Sequence, residues 1–543
     1  MTDPPPAAEF VDTFGIAPKI YHRRYLILSV LCLSLVLIVI SVSSVNVALP
    51  TLARELGATS TQLQWIVDSY ALVFAGLLLP AGAIGDRFGR KWALLGGLTV
   101  FAICAVWASR SGTPGELIIA RGFMGVGAAF IMPATLSIIT NSFPAHERTK
   151  AIAIWAGFAG AGGAIGPVVS GLMLEHYWWG SIFFVNLPIV LLLMVLAIVF
   201  VPNSRDPSGH ALDPVGAGLS VAGLVALVFA IIQGPEWGWL TPGVLGSFAA
   251  AVAFLGLFIW WELRVDYPTL DPRLFKLPGF GMGSLAIATA FFCMFGMFFL
   301  VTQYLQFVLG DTPLMAGVKA LPAAAMMILV SPRSPAVAEK IGVRNTTRLG
   351  FALMALGFVG FTFLDANSGY GLFAASIMGV AGGLALLMPP STSAIIASLP
   401  LAKAGVGSAV NDVNREVGGA IGIAMLGSIL NSVYRSSIDL TEVDAAVPDA
   451  ARAQFAEAEE AITEGIAGAQ AVSAEITKLP FPGADKIAQL IQDASSSAFV
   501  SGMGISFAVA AGIAVVIGLV LVGSRIPDEL PNEEEPLPQP DPV

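Results

Sequence analysis

Charged residues and cysteines are scarce in this chain. Only 12% of its 543 residues are charged, whereas 56% are hydrophobic, and the mean hydropathy is +0.80. A protein of that composition would not stay dissolved in water, which excludes a soluble globular domain. Its three cysteines, Cys32, Cys104 and Cys293, stand singly in apolar runs. Neither a disulfide framework nor a zinc site is therefore expected.

The chain also lacks the short motifs that mark common enzyme cores. It contains no Walker A pattern, no Gly-x-Ser-x-Gly turn and no His-Glu-x-x-His helix. We therefore expect no enzymatic activity, no cofactor and no bound metal. The net charge is −10, but the excess acid lies in one late loop and in the tail. A nucleic-acid partner is for that reason not expected either.

Long apolar runs dominate what is present. A helix needs about 20 residues to cross the hydrocarbon core of a bilayer, and by that measure the sequence has about fourteen candidate spans. The first, over residues 25–50, lacks a small-x-small cleavage site and is too long for a signal-peptide core, so it is expected to be retained. The expected fold is an all-α polytopic membrane protein. The approximate centres of the spans are Ser34, Ala75, Phe101, Gly127, Ala161, Leu191, Leu224, Ala253, Met294, Met326, Leu356, Gly382, Ile421 and Val515.

Basic residues indicate the orientation of the chain in the membrane. Most lysines and arginines fall in loops on the same side as the N-terminus, whereas the short opposite loops offer little beyond Arg54 and Arg110. By the positive-inside rule, both termini are expected in the cytoplasm. The composition, rich in Ala, Gly and Val, suits a bacterium. A multi-pass protein of the bacterial cytoplasmic membrane is therefore expected.

A weak internal repeat indicates two homologous halves. The turn at residues 86–91, Asp-Arg-Phe-Gly-Arg-Lys, has an echo at residues 339–344, Glu-Lys-Ile-Gly-Val-Arg. Parallel repeats of this kind build a large transporter fold from two bundles of about six helices, and the extra helix pair would be an insertion between them. A coincidence of two basic turns is the alternative.

Two segments are predicted to lie outside the membrane. Residues 436–498 are rich in Ala and Glu and are divided by prolines, which indicates an external helical hairpin before the last span. Residues 525–543 read as an acidic, Pro-rich cytoplasmic tail. The other predicted units are a cytoplasmic N-terminal segment (1–24), an N-terminal bundle (25–203), an inserted helix pair with its linker (204–278) and a C-terminal bundle (279–435 and 499–524).

Two charges lie inside otherwise apolar spans of the first half. Asp68 is near the external end of the second span, and Arg121 is at a similar depth in the fourth. Charges are costly in a membrane and usually functional there, so we predict a pair between them or proton exchange with a nearby acid. The alternative is that both side chains only reach outward to the membrane boundary.

The thirteenth span carries a second group of charges. Asp412 and Glu416 are four residues apart and share a helix face, with Arg415 beside them. Two acids so placed are expected to bind protons as one coupled site. The alternative is a static charge network that only fixes helix packing.

A short run of charge follows the second span. Charged residues crowded into a tight turn between two spans are typical of a transporter's gating loop, and the rest of the sequence offers no enzyme site that would explain them. The predicted gating residues are Gly82, Asp86, Arg87, Gly89, Arg90 and Lys91.

The fifth span is dense in glycine around a proline. Small residues thin one helix face, so that neighbouring helices approach closely, and the proline would bend the helix. A generic packing face is the alternative. The residues of this motif are Gly162, Gly166, Pro167 and Gly171.

Aromatic and methionine side chains are frequent in the ninth and tenth spans. Such surfaces adapt to flat apolar ligands, and aromatic rings attract organic cations. For most of these residues, packing in the core or against lipid is the alternative. The candidate cavity residues are Trp65, Phe292, Phe295 and Met326.

Three of these motifs carry a family resemblance. Residues 82–91, 121–127 and 162–171 match, in order, a loop between the second and third helices, a fourth-helix motif with an arginine, and an antiporter motif in the fifth helix. Together they resemble the major facilitator superfamily, and within it the fourteen-helix drug:proton antiporters of the quaternary-ammonium and multidrug efflux type. The resemblance covers the chain except for the predicted hairpin and tail. It implies proton coupling at Asp68 and Arg121, and coupling or cation recognition at Asp412 and Glu416.

The chain departs from the family pattern at three positions. Ser41 stands where an acid is frequent in the first helix, Met124 replaces a frequent Gln, and Ser170 replaces a frequent Gly. These departures leave the expected fold unchanged.

The expected function is proton-coupled efflux of lipophilic cationic drugs, such as quaternary ammonium compounds and dyes. Protons would be the coupling ion, the partners would be the small substrate and membrane lipids, and the protein would be a monomer. One alternative is export of an endogenous lipid or secreted metabolite on the same fold. Another is a non-transporting envelope partner or sensor that binds through the external hairpin.

Overall fold

The computed structural model describes residues 16–58, 60–205, 213–366, 368–399, 403–448, 452–478 and 483–523, and every regular element in these ranges is helical. The acidic tail and the first part of the N-terminal segment lie outside the described residues. The helices are α1 (Pro18–Leu56), α2 (Ser60–Phe88), α3 (Arg90–Ser109), α4 (Pro114–Ser142), α5 (Ala145–His176), α6 (Asn186–Phe200), α7 (Pro214–Trp237), α8 (Pro242–Glu262), α9 (Pro278–Gln303), α10 (Pro313–Val330), α11 (Val343–Phe361), α12 (Tyr370–Ala397), α13 (Ala404–Ser437), α14 (Thr441–Ala446), α15 (Arg452–Glu464), α16 (Ile466–Ile476) and α17 (Ala484–Gly523).

Twelve helices of the described part are long and apolar enough to cross a membrane. They coincide with twelve of the predicted centres. The other two centres fall in α5 and α11, which are helical but are not among the twelve. Both begin with polar and charged residues, and α5 is rich in glycine, so their composition is less apolar than that of their neighbours.

Local sequence signals set the helix starts. Several helices begin with proline, whose fixed backbone angle and missing N–H suit the first helical position. The residue before the proline often caps the helix. In α4, the side chain of Thr113 accepts a hydrogen bond from the N–H of Glu116 at 3.3 Å, and Thr312 caps α10 through the N–H of Met315 at 3.2 Å.

The internal repeat is visible in the backbone. Gly89 and Gly342 precede α3 and α11 with positive φ angles of 116° and 85°, which favour glycine. Eight residues further on in each helix, Gly97 and Gly350 lie against the backbone of the next helix, where an added Cβ would meet a glycine carbonyl at 2.7 Å in both cases. The α3–α4 and α11–α12 pairs therefore use the same close contact in the two halves.

The helix pair that the sequence predicts as an insertion packs beside both halves. Helices α7 and α8 contact each other, and α7 also contacts α2 and α13. A Cβ on Gly76 of α2 would approach Val225 of α7 to 2.7 Å, so this contact is close. The linker between α8 and α9 returns the chain toward the start of α13, where Lys403 donates to the carbonyl oxygen of Pro268 at 3.2 Å.

The segment predicted as an external hairpin is a small helical unit with its own apolar core. Helices α14, α15 and α16 pack with the first turns of α17 around buried Val443, Ile462 and Ile491. The unit is not free-standing, because Gln470 of α16 donates to the carbonyl oxygen of Phe307 at 3.1 Å. The last part of this segment shares a helix with the final predicted span, because α17 runs unbroken from Ala484 to Gly523 and contains no proline; the boundary at residue 498 between the external segment and the membrane stays a prediction.

Candidate functional site

A buried carboxylate ties the two halves together at one end of the molecule. Asp86, at the end of α2, accepts hydrogen bonds from the backbone N–H groups of Gly405 at 3.0 Å and Val406 at 3.1 Å. These are orphan donors in the first turn of α13, where the helix dipole also favours a negative charge. Asp86 is therefore a cap supplied by one half to a helix of the other.

The other charged residues of the predicted gating loop make three different kinds of contact. Arg90 lies fully buried and donates from Nε to Asp86 Oδ1 at 2.7 Å, while Lys91 donates to the carbonyl oxygen of Ile198 at 2.7 Å. Arg87 instead lies over the exposed ring of Phe88. The backbone is tight on either side: an added Cβ would meet Gly405 from Gly82 and Asn203 from Gly89.

The glycine motif of α5 lets that helix pack closely between the two halves. Gly162 and Gly166 lie against α1, and a Cβ on Gly166 would collide with the Ser43 side chain. Two hydrogen bonds join the helices there, from Ser44 Oγ to the Gly166 carbonyl oxygen at 3.1 Å and from Ser170 Oγ to the Ser44 carbonyl oxygen at 2.8 Å.

The opposite side of α5 faces α10. An added Cβ on Gly171 would lie 3.8 Å from Leu314, and one on Gly317 would lie 3.5 Å from Pro167. Toward the other end of the same helix, Ser331 Oγ donates to the carbonyl oxygen of Ala153 at 2.7 Å. The fifth helix is thus a packing element for both halves.

Arg121 is fully buried in α4. Its Nε donates to the carbonyl oxygen of Ile66 at 3.1 Å, and its guanidinium lies 4.4 Å from the ring centroid of Tyr70. Neither of its two terminal nitrogens has a hydrogen-bond partner among the described residues. Arg121 thus contacts the α2 backbone and the tyrosine ring, and its pair with Asp68 stays a prediction.

The charges of α13 form a compact group next to aromatic rings. Asp412 is buried, and its Oδ1 lies 3.4 Å from Arg415 Nη1, while its Oδ2 has no hydrogen-bond partner in the described part of the chain. The Arg415 guanidinium lies 4.5 Å from the ring centroid of Phe291 in α9 and 5.5 Å from that of Trp155 in α5. Cation–π contacts from both halves thus hold it in place.

Tyr70 lies beside one of the two buried arginines. Its ring is under Arg121, and its phenol is near enough to Glu416 of α13 for an electrostatic interaction. Glu416 and Asp68 are both partly buried. The structure therefore brings Arg121 and Glu416 to the same region between the halves, and Asp68 lies in the same helix as Tyr70.

The four candidate cavity residues lie in three separate contacts. Trp65 packs against Phe229 of α7, with ring centroids 5.9 Å apart, and Met326 lies beside Gly382 of α12. Phe292 and Phe295 pack where α9 crosses the glycines of α13. In this conformation they are packing contacts, and a shared cavity wall stays a prediction.

Sequence reasoning missed two aromatic residues of the site. Tyr70 and Trp155 contact the buried arginines, yet neither belongs to a charged pattern. One signal was available for Trp155, since it is the single tryptophan in a helix made largely of small residues. No comparable signal marks Tyr70.

Comparison with known proteins agrees with this architecture. The family model described as Major Facilitator Superfamily matches residues 31–423. The multidrug efflux pump LfrA of Mycolicibacterium smegmatis is 35% identical over 92% of this chain and 96% of its own. The tetracenomycin C resistance and export protein of Streptomyces glaucescens is 31% identical over 91% of this chain and 90% of its own.

A solved structure shows the same fold. The human organic anion transporter MFSD10 superposes with a TM-score of 0.60 at 14% identity, covering 92% of this chain and 99% of its own. At that identity the likeness concerns the fold alone. With the family match over most of its length and relatives of full coverage, the chain is a multi-pass membrane protein and belongs to the Major Facilitator Superfamily.

Proposed function

We propose that the protein exports drugs from bacterial cells as a proton-coupled antiporter with fourteen membrane-spanning helices and both termini in the cytoplasm. Its substrates are lipophilic cations such as quaternary ammonium compounds and dyes. It works as a monomer whose further partners are membrane lipids, and it needs no cofactor beyond protons. The observation that carries the proposal is the group of charges between the halves, in which Arg121, Asp412 and Arg415 are buried and Glu416 is partly buried.

Acids within the membrane can hold either a proton or a cationic substrate. Asp412 keeps one oxygen unpartnered among the described residues, and Glu416 lies one turn further along α13. A lipophilic cation would be held by these carboxylates and by the rings of Phe291 and Trp155, which attract positive charge. Protonation from outside would neutralise the acids and release the cation outward.

The Asp86 cap supplies the alternation between states. It joins the halves at one end of the molecule; we propose that this is the cytoplasmic end, so that the site would open outward. Release of the two α13 N–H groups would let the halves rock apart and admit substrate from inside. A membrane potential contributes about 2.3 kcal/mol per 100 mV for each net positive charge that enters. One proton in excess of the substrate's charge is therefore enough to drive substantial export.

A second candidate cargo is a secreted metabolite with oxygen acceptors. The terminal nitrogens of Arg121, the indole N–H of Trp155 and the hydroxyl of Tyr70 are buried without partners among the described residues. Such donors suit the carbonyl and hydroxyl oxygens of a natural product better than a bare quaternary ammonium group. The similarity to a tetracenomycin C export protein points in the same direction.

Transport into proteoliposomes tests the proposal. Purified protein is reconstituted, a pH gradient is imposed, and ethidium uptake is compared between the wild type, Asp412→Asn and Glu475→Gln, an exposed acid of α16 that serves as the matched control. We expect uptake that depends on the gradient in the wild type and the control, and its loss in Asp412→Asn. Proton-driven uptake that survives in both Asp68→Asn and Asp412→Asn would remove the coupling assignment. An oxygen-rich aromatic polyketide that is carried while ethidium is not would favour the second cargo.

A further inference from the structure

Two buried acids lie together in the inserted helix pair, away from the charges between the halves. Asp213 precedes α7, and Glu262 ends α8; their exposed fractions are 9% and 2%. A Cβ built on Gly216 would touch Asp213 Oδ2 and lie 2.5 Å from Glu262 Oε1. The two carboxyl oxygens therefore converge on the same small volume.

The hydrogen bonds of Asp213 define its state. Its Oδ1 accepts from the N–H groups of Val215 at 3.0 Å and Gly216 at 2.9 Å, as a helix cap does. Its Oδ2 accepts from the indole Nε1–H of Trp261 at 2.8 Å. Every one of these neighbours is a donor, so Asp213 is placed to be ionised, and Oδ2 can still accept one more hydrogen bond.

Glu262 has the complementary pattern. Its Oε2 accepts from the N–H of Leu270 at 3.3 Å, whereas its Oε1 has no hydrogen-bond partner among the described residues. A protonated carboxyl accepts a hydrogen bond through one oxygen and donates one through the other. In Glu262, Oε2 is the acceptor, and Oε1 would carry the proton and donate it in a hydrogen bond to Asp213 Oδ2. Without that proton, two buried negative charges would face each other, which is strongly unfavourable.

We propose that Asp213 and Glu262 form a proton-binding site in the inserted helix pair, in which one proton on Glu262 Oε1 is shared with Asp213 Oδ2. Among the described residues, Lys403 at the start of α13 interacts electrostatically with Glu262. Lys403 also holds the linker through Pro268, and its helix begins at the donors that Asp86 caps. The site is thereby joined to the Asp86 contact between the halves.

Carbodiimide labelling tests this site without any transport. Dicyclohexylcarbodiimide adds to the protonated form of a carboxyl in an apolar setting, and mass spectrometry of peptides locates the product. In the purified full-length protein we expect modification of Glu262 that falls about tenfold per pH unit once the shared proton is lost. Absence of modification of Glu262 across the pH range would overturn the proposal.

The matched variant is Asp213→Asn. Asparagine keeps the cap for α7, but its amide donates a hydrogen bond to Glu262 and favours the ionised form. Labelling of Glu262 should then fall about tenfold or more at the same pH, while Glu475→Gln leaves it unchanged. Unchanged or faster labelling in Asp213→Asn would show that Glu262 is a lone neutral acid and would overturn the pair.

Two further readouts keep the outcome decisive. At neutral pH, where exposed acids are ionised, the difference spectrum between wild-type protein and Glu262→Gln should contain the infrared carbonyl stretch of one protonated acid; the folding of the variant is checked by size exclusion. Protection of Glu262 from the carbodiimide by Na⁺ at constant pH would indicate a metal-cation site and contradict the shared proton. Each of these results is independent of whether the protein exports drugs.

Discussion

Neutralising Asp86 should separate the two halves at the end of the molecule where Asp86 joins them. Two of the bonds to this carboxylate, from the N–H groups of Gly405 and Val406, join the halves and are lost on opening. Bonds to a charged acceptor contribute about 1.5–3 kcal/mol each, and the helix dipole adds to them. Asparagine keeps one weaker acceptor, so we expect Asp86→Asn to cost the closed state about 2–3 kcal/mol, which shifts the ratio of closed to open molecules about 30- to 140-fold.

A distance measurement between the halves shows this shift. Spin labels are placed at the exposed positions Lys150, in α5, and Glu339, in the short helix Ser334–Ile341 that α5 contacts. The closed protein should give one short distance, and Asp86→Asn should add a longer population. Asp266→Asn, an exposed acid of the α8–α9 linker, is the control. An unchanged distance distribution in Asp86→Asn would refute the role of the cap.

Three further outcomes follow from single contacts. Gly166→Ala should lower the thermal midpoint in detergent, because its Cβ meets α1 and overpacking costs about 1–3 kcal/mol, whereas Gly163→Ala, whose Cβ would lie 3.9 Å from Val39 Cγ1, should not. Ser170→Ala should cost about 1 kcal/mol in the same assay through its lost hydrogen bond; an unchanged midpoint would contradict this. The side chain and the N–H of Thr441 donate to Asp439 and hold the pKa of that carboxyl below its usual range, so the start of α14 should be stable above that usual pKa and weaken as the pH falls through the lowered one. Thr441→Val should raise the pKa in a carbon-13 titration, and an unmoved titration would disprove the assignment.

The membrane fold follows from composition far more than from any single residue. Apolar runs of spanning length predict where most helices lie, because a lipid-exposed backbone must satisfy its own hydrogen bonds. The repeat of basic turns predicted two related halves. In the structure, Gly97 and Gly350 make matching helix contacts, and each lies eight residues after the glycine that precedes its helix.

The contacts of Asp86 and Arg121 could not be predicted from the sequence, because their partners are backbone groups or ordinary core residues. Asp86 stands out in its turn, yet its partners are backbone N–H groups at the start of α13, which any residues could provide. The ring under Arg121 is equally hidden, because a buried tyrosine in an apolar helix looks like ordinary core.

The sequence predicted helical character for residues 484–498 but not that they share one helix with the last span. They contain no proline or glycine after Gly483 and continue into α17. The acid pair of the inserted helices was also missed, since Asp213 and Glu262 are far apart in sequence and meet only when α7 and α8 pack.

Proton movement driven by substrate tests the central claim most directly. Proteoliposomes that hold a pH-sensitive dye and no pH gradient receive ethidium on one side, and the internal pH is followed. Antiport through Asp412 and Glu416 predicts that ethidium entry drives protons outward in the wild type, with one pH unit balancing about a tenfold substrate ratio per proton, and that Asp412→Asn shows no proton movement. Ethidium entry at the same rate without any change of internal pH would contradict proton-coupled exchange.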